Sequence, residues 1–140
     1  MKIAIVYYSG TGNTEQMAEA VAEGVTGKGT EAEVISCENF GATDIDSYDA
    51  FAFGCPAMGA EVLEEGTFDP MFTEIEASLA GKKAGLFGSY GWGDGEWMRN
   101  WEDRCREDGI ELVGDGVICM EAPDDDALAA CRTLGGALAA

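Results

Sequence analysis

The chain has 140 residues, 27 of them acidic and 8 basic, for a formal net charge of −19 with no histidine. The length fits one domain spanning residues 1–140 with a core of its own. The charge makes nucleic acid and anionic lipid poor partners and basic protein faces good ones, and the missing histidine removes the commonest general base and metal ligand.

No apolar stretch approaches the ~20 residues of a membrane span. The apolar run 3–8 is too short for a signal-peptide core and has no cleavage site, so a cytoplasmic location is expected, with no membrane contact. The five cysteines (Cys37, Cys55, Cys105, Cys119, Cys131) form no C-x-x-C pair and match neither zinc nor iron–sulfur spacing. They are expected to be reduced thiols in small core positions, and no metal site is expected.

In chain order, residues 3–7 are continuously apolar, as in a strand covered on both faces. Residues 14–27 place Met17, Ala18, Val21, Ala22 and Val25 on one helical face, stopped by Gly27 and Gly29. Residues 31–36 predict a second strand, 38–49 a polar loop with a short helical turn, and 50–54 a third strand. After a long loop, 55–67, Asp69-Pro70 predicts an N-cap and first-turn proline opening a helix with Met71, Phe72, Ile75 and Leu79 inward.

Residues 83–88 predict strand four, and the glycine-rich loop 88–95 leads into a helix with Trp97, Met98, Trp101 and Cys105 on one side, ended by Asp108-Gly109. Residues 110–113 with 117–120 predict strand five, and Asp124, Asp125 and Asp126 suit the positive end of a last helix. Five strands separated by helices imply an α/β fold: a parallel, doubly wound sheet with helices on both faces. Ligands of such sheets sit beyond the carboxyl ends of the strands, which singles out the loops after strands one, three and four.

The first of these, Ser9-Gly10-Thr11-Gly12-Asn13-Thr14, combines glycines that permit close backbone approach with hydroxyls, an amide and a helix N-terminus. Asn13 can cap the helix, with Gln16 in the capping-box position. A Walker loop would need a lysine, and residues 3–27 contain none; a dinucleotide fingerprint would need glycine at position 15, which is Glu. What is left is a cradle of neutral donors, suited to a terminal monophosphate.

This loop, with Glu15 after it, resembles the phosphate loop of flavodoxins, in which hydroxyls and backbone N–H groups bind the FMN phosphate. The resemblance implies strand order 2-1-3-4-5 with FMN at the switch point between strands one and three, an arrangement for which flavodoxin is the standard illustration.

The other two loops are Cys55-Pro56-Ala57-Met58-Gly59-Ala60-Glu61 and Ser89-Tyr90-Gly91-Trp92-Gly93-Asp94-Gly95. One offers a polarizable side chain, a conformationally free glycine and a carboxylate; the other offers an aromatic face among glycines. No helical or strand period accounts for Trp92. Met58-Gly59-x-Glu61 and Ser89-Tyr90-Gly91-Trp92-Gly93 resemble the ring-binding loops of short-chain flavodoxins of clostridia and related anaerobes, and the similarity extends along essentially the whole chain, with no insertion splitting strand five.

The implied contacts are Met58 on the inner ring face, Trp92 on the outer, Glu61 accepting from flavin N3, and Gly59 turning its carbonyl to N5 as the neutral semiquinone forms. Pro56 and Ala57 complete the second loop's contacts. Tyr8 and Ala60 depart from the family pattern, where Trp and a polar residue are common. The implied protein is a low-potential one-electron carrier with noncovalent FMN, shuttling between semiquinone and hydroquinone. It is not an enzyme and has no catalytic residues of its own.

Its implied partners are the basic faces of redox enzymes such as ferredoxin/flavodoxin reductases and oxidoreductases, met as a monomer. The alternatives are an FMN-dependent NAD(P)H:acceptor reductase of the same fold and a response-regulator receiver; receivers carry an acidic pair after strand one and an Asp after strand three, where this sequence has Tyr8-Ser9-Gly10 and Gly54-Cys55. The charge of −19 is a modest influence on potential: screened over an ~8 Å Debye length it leaves about 1.5 kcal/mol at the ring, or ~60 mV. Stacking, water exclusion and Glu61 must supply more.

Overall fold

The computed structural model describes every residue except Thr11, Ala60 and Trp92. The elements are β1 (Lys2–Tyr7), α1 (Asn13–Thr26), β2 (Glu31–Ser36), β3 (Ala50–Gly54), α2 (Phe68–Ile75), β4 (Lys83–Tyr90), α3 (Glu96–Glu107), β5 (Glu111–Leu112), β6 (Val117–Met120) and α4 (Asp125–Ala139). Two short 3-10 turns, Cys37–Asn39 and Ala42–Ser47, occupy the predicted polar loop. The strands run in the order β2-β1-β3-β4-β5, and every pairing between them is parallel.

The expected fifth strand is broken in two. β5 and β6 both pair with β4, but Lys83 faces Glu111 while Phe87 faces Val117, so two extra residues are absorbed between them. The Gly114-Asp115-Gly116 bend takes up the slack. The Glu102 carboxylate accepts from the Gly116 N–H at 2.6 Å, and a Cβ on Gly116 would run into Met98. Strand four is also longer than expected: Ser89 and Tyr90 pair with Cys119 and Met120 and so belong to β4, not to the loop.

Helices cover both faces of the sheet. Ala4, Val6, Phe51, Phe53, Ala84 and Leu86 pack against α2, α3 and the 3-10 turns. Ile3, Ile5, Ala50, Ala52 and Phe87 pack against α1 and α4. This burial of alternating side chains on both faces explains the unbroken apolar runs of β1 and β3. Trp97, Met98, Trp101 and Cys105 are buried as their spacing predicts, and so are Met71, Phe72, Ile75 and Leu79.

Two caps differ from expectation. Asn13 does not cap α1; Gly12 does, in the left-handed conformation (φ 94°), and the Ser9 hydroxyl accepts from its N–H at 3.0 Å. Asp69 does not cap α2, because the helix begins one residue before it. The Glu64 carboxylate instead accepts from the amides of Gly66, Thr67 and Phe68 at 2.7–2.8 Å, a charge-assisted arrangement favoured at the positive helix end. Asp124 does cap α4, accepting from the Ala127 N–H at 2.8 Å.

Freed from capping, Asp69 joins an ionic cluster between α2 and α3. Arg104 bonds Asp69 at 2.9 Å and Glu76 at 2.8 Å, and its guanidinium lies 5.0 Å from the Phe72 ring centroid. Bonding to Arg104 lowers the Glu76 carboxyl below its ordinary value, while Glu76 and then burial push Asp108 up to about 6. All five cysteines are unpaired; Cys37, Cys55, Cys105 and Cys131 are buried as expected, whereas Cys119 is only half-buried, and burial pushes Cys37 up to about 11 and Cys105 and Cys131 to about 12. Among the described residues no helix is long and apolar enough to cross a membrane.

Candidate functional site

The carboxyl ends of β1, β3, β4 and β6 converge around a cleft of about 570 Å³, within the range of small-molecule sites. Its walls are Tyr8, Gly10 and Asn13 from the first loop, Pro56, Ala57 and Met58 from the second, Ser89, Tyr90 and Gly91 from the third, and Glu121 and Ala122 after β6. Other depressions of similar volume run along α1 and α4, away from the strand ends.

Backbone bonds hold the cleft's floor. Tyr8 N–H donates to Gly54 at 2.9 Å, Ala57 N–H to Ser89 at 3.0 Å, and Glu121 N–H to Tyr90 at 2.7 Å. Tyr90 also packs on Trp97 with ring centroids 5.4 Å apart. Among the described residues no lysine or arginine lines the cleft, so a bound anion meets neutral donors there.

At the end of the cleft lined by Gly10 and Asn13, the first backbone bond of α1 closes from Gln16 to Gly12, which leaves the Asn13 and Thr14 amides ahead of it at the positive helix end. Among the described residues the Thr14 hydroxyl is buried (1% exposed) and has no hydrogen-bond partner. A buried donor at a helix start calls for a partner, and this one fits a phosphate monoester.

The second loop folds back on itself. Met58 and Val62 exchange two backbone bonds of 2.9 and 3.1 Å, forming an isolated antiparallel bridge around a turn. Gly59 within it has φ +48°, a conformation that glycine adopts at little cost, and a Cβ there would meet nothing within 4 Å. Glu61 is also left-handed (φ 56°), and it is 9% exposed. Its Oε1 accepts from the Gly95 and Glu96 amides at 3.2 Å each, and Gly93 packs so close that a Cβ there would strike the carboxylate.

Glu61 thus faces the N-terminus of α3 and lines a neighbouring 150 Å³ cavity with Trp101, Asn100 and Arg104, not the main cleft. Of the sixteen residues expected to bind a cofactor, Ser9, Gly12, Thr14, Gly59, Glu61 and Gly93 are not among the residues that line the cleft, and Thr11 and Trp92 lie outside the described residues. The other eight line the cleft.

The sequence model of the flavodoxin family matches residues 5–135. The chain belongs to the flavodoxin family. It is 44% identical to the flavodoxin of Megasphaera elsdenii over 137 residues, covering 98% of each chain. It is 46% identical to the flavodoxin of Clostridium beijerinckii over 121 residues, covering 86% of this chain and 88% of that one. The solution structure of the two-electron reduced Megasphaera elsdenii flavodoxin superposes with a TM-score of 0.88 at 43% identity, covering 98% of both chains. As a flavodoxin-family member, the chain is an FMN-binding electron carrier that works with redox partner proteins, and not itself an enzyme.

Sequence reasoning missed the segment after the fifth strand. Glu121, left-handed at φ 56° without being glycine, carries no periodicity that would single it out. Tyr8 was visible only as a departure from the family pattern, yet it lines the cleft.

Proposed function

We propose that the cleft holds FMN with its phosphate at Ser9, Gly10, Thr11, Gly12, Asn13 and Thr14 and its ring between the 56–61 and 89–93 loops. The observation that carries this reading is the buried Thr14 hydroxyl at the α1 N-terminus, which has no partner among the described residues, next to a cleft that no described lysine or arginine lines. When bound, FMN supplies the one-electron chemistry. Thr14 Oγ1–H and the first α1 amides donate to the phosphate. Met58 covers one ring face and Trp92 the other, excluding water, while Tyr8 and Tyr90 close the inner end.

Two helix amides hold Glu61 through Oε1, and acceptance from the ring's N3–H, which the family resemblance implies, would fall to Oε2. The Gly59 carbonyl serves flavin N5–H, and its turn needs the positive φ that this residue already has. The reductase alternative is not favoured, since the relatives matched over most of their own length as well as of this chain are flavodoxins.

The test is FMN uptake by apoprotein followed by a redox titration. Wild-type protein should take up FMN one-to-one and show two separated one-electron potentials, and Gly59→Ala should narrow their separation. A colourless protein that ignores FMN, or a Gly59→Ala variant with unchanged potentials, would refute the respective parts.

For partners we propose redox proteins with basic faces, met by the protein as a monomer. Met58 and Val62 on the second loop and Ile118 and Met120 on β6 are exposed apolar side chains, and Glu65, Asp94, Glu96 and Glu121 in and after the same strand-end loops are exposed carboxylates. Electron transfer to a basic partner should slow as ionic strength rises, whereas a salt-independent rate rules electrostatic docking out. The unpaired thiols suit a reducing compartment, and we place the carrier in the cytoplasm. Recovery from a periplasmic fraction would contradict that.

A further inference from the structure

We propose that Cys55 is a positioning residue for the 56–63 turn: its thiol closes the base of the turn, so that only Gly59 and its neighbours remain free to move. Every hydrogen-bonding atom of Cys55 is engaged. Its N–H donates to Phe87 at 3.1 Å, and its carbonyl accepts from the Trp97 indole N–H at 3.1 Å. Its S–H donates to the Pro56 carbonyl at 3.5 Å, and its sulfur accepts from the Glu64 N–H at 3.3 Å. One fully buried residue therefore ties β4, α3 and both ends of the turn together.

Above this base the Met58–Val62 bridge pins the middle of the turn. Below it the Glu64 carboxylate clamps three amides at the start of α2. Both anchors lie outside Gly59, which keeps its left-handed conformation in open space. A stiff frame with one free hinge confines the carbonyl swing to a single peptide. Loss of the frame would let the whole turn wander and dilute the conformer that meets the flavin. The frame's function, though not its existence, rests on the FMN reading above.

The test compares Cys55→Ala, which removes both thiol bonds, with Cys55→Ser, which keeps a donor and acceptor. The neutral change avoids shifting potentials through charge. In apoprotein, exchange of the Glu64 amide should quicken at least ~fivefold in Cys55→Ala, the worth of about one hydrogen bond. In the FMN-loaded protein the disproportionation constant of one-electron-reduced flavin should rise at least ~threefold, while affinity for oxidised FMN stays within about twofold. Cys55→Ser should recover most of both effects.

An unchanged disproportionation constant in Cys55→Ala overturns the proposal, even if stability falls, because the thiol would then only fill space. Should Cys55→Ala fail to fold, wild-type exchange decides: the Glu64 amide must exchange at least ~tenfold more slowly than that of exposed Glu65, and equal rates overturn the proposal. Failure of the FMN reading is recognised separately, by wild-type protein that takes up no FMN.

Discussion

Gly135→Ala should destabilise the protein by about 2 kcal/mol, although alanine is the better helix former. Gly135 sits inside α4, where exchange for alanine ordinarily gains ~1 kcal/mol. Here the added Cβ would meet the Val21 carbonyl and the Val25 nitrogen, which are backbone atoms of α1 and cannot swing aside. Overpacking against an unyielding neighbour costs ~1–3 kcal/mol or more and outweighs the propensity gain. The approach is reciprocal, since a Cβ on Gly24 of α1 would strike the Arg132 carbonyl of α4.

The neighbouring residue is the control. A Cβ on Gly136 would come 3.3 Å from the end of the Lys28 side chain and 3.9 Å from a carbonyl, so Gly136→Ala should be neutral or stabilise by up to ~1 kcal/mol. Urea denaturation of the two apoproteins separates the cases. Equal midpoints, or a gain for Gly135→Ala, would mean that the helices do not touch as described.

The pattern of what the sequence reveals follows from this kind of contact. Unbroken apolar runs mark β1 and β3, because burial on both faces leaves no polar position to alternate. Trp97 and Trp101 are legible as core because a helical period links them. Interhelical contact through Gly24 and Gly135 is not legible, since a missing side chain leaves no periodic signal.

Caps fail for a related reason. Asp69-Pro70 has the right local chemistry to start a helix, but α2 already begins at Phe68, where Glu64 reaches the Thr67 and Phe68 amides from upstream, and only the path of the turn reveals that. The break between β5 and β6 depends on register against β4, which no local pattern encodes. At the site, the glycine-rich loops were legible through their chemistry. Glu121 was not, because its role comes from the strand that delivers it, and Cys55 was readable only as core because hydrogen bonding by a buried thiol has no sequence mark.

Thr14→Val should make the apoprotein more stable and the FMN complex weaker, and the opposite signs are what make it diagnostic. Valine has the same shape and nearly the same helix propensity as threonine. In the apoprotein the Thr14 hydroxyl is buried and has no partner among the described residues, and its removal should recover about 1 kcal/mol. With a phosphate present, the same hydroxyl donates to an anion, a bond worth ~1.5–3 kcal/mol, so FMN affinity should fall ~10- to 150-fold. Riboflavin, which lacks the phosphate, should bind both proteins alike.

Thermal unfolding without FMN and calorimetric titration with FMN and riboflavin measure all three quantities. An apoprotein destabilised by the change would show that the hydroxyl already has a partner. A parallel loss for riboflavin and FMN would move the phosphate elsewhere. The prediction turns on the absence of any cation in the cleft walls: with no lysine or arginine to dominate, each neutral donor carries a measurable share of the anion's binding.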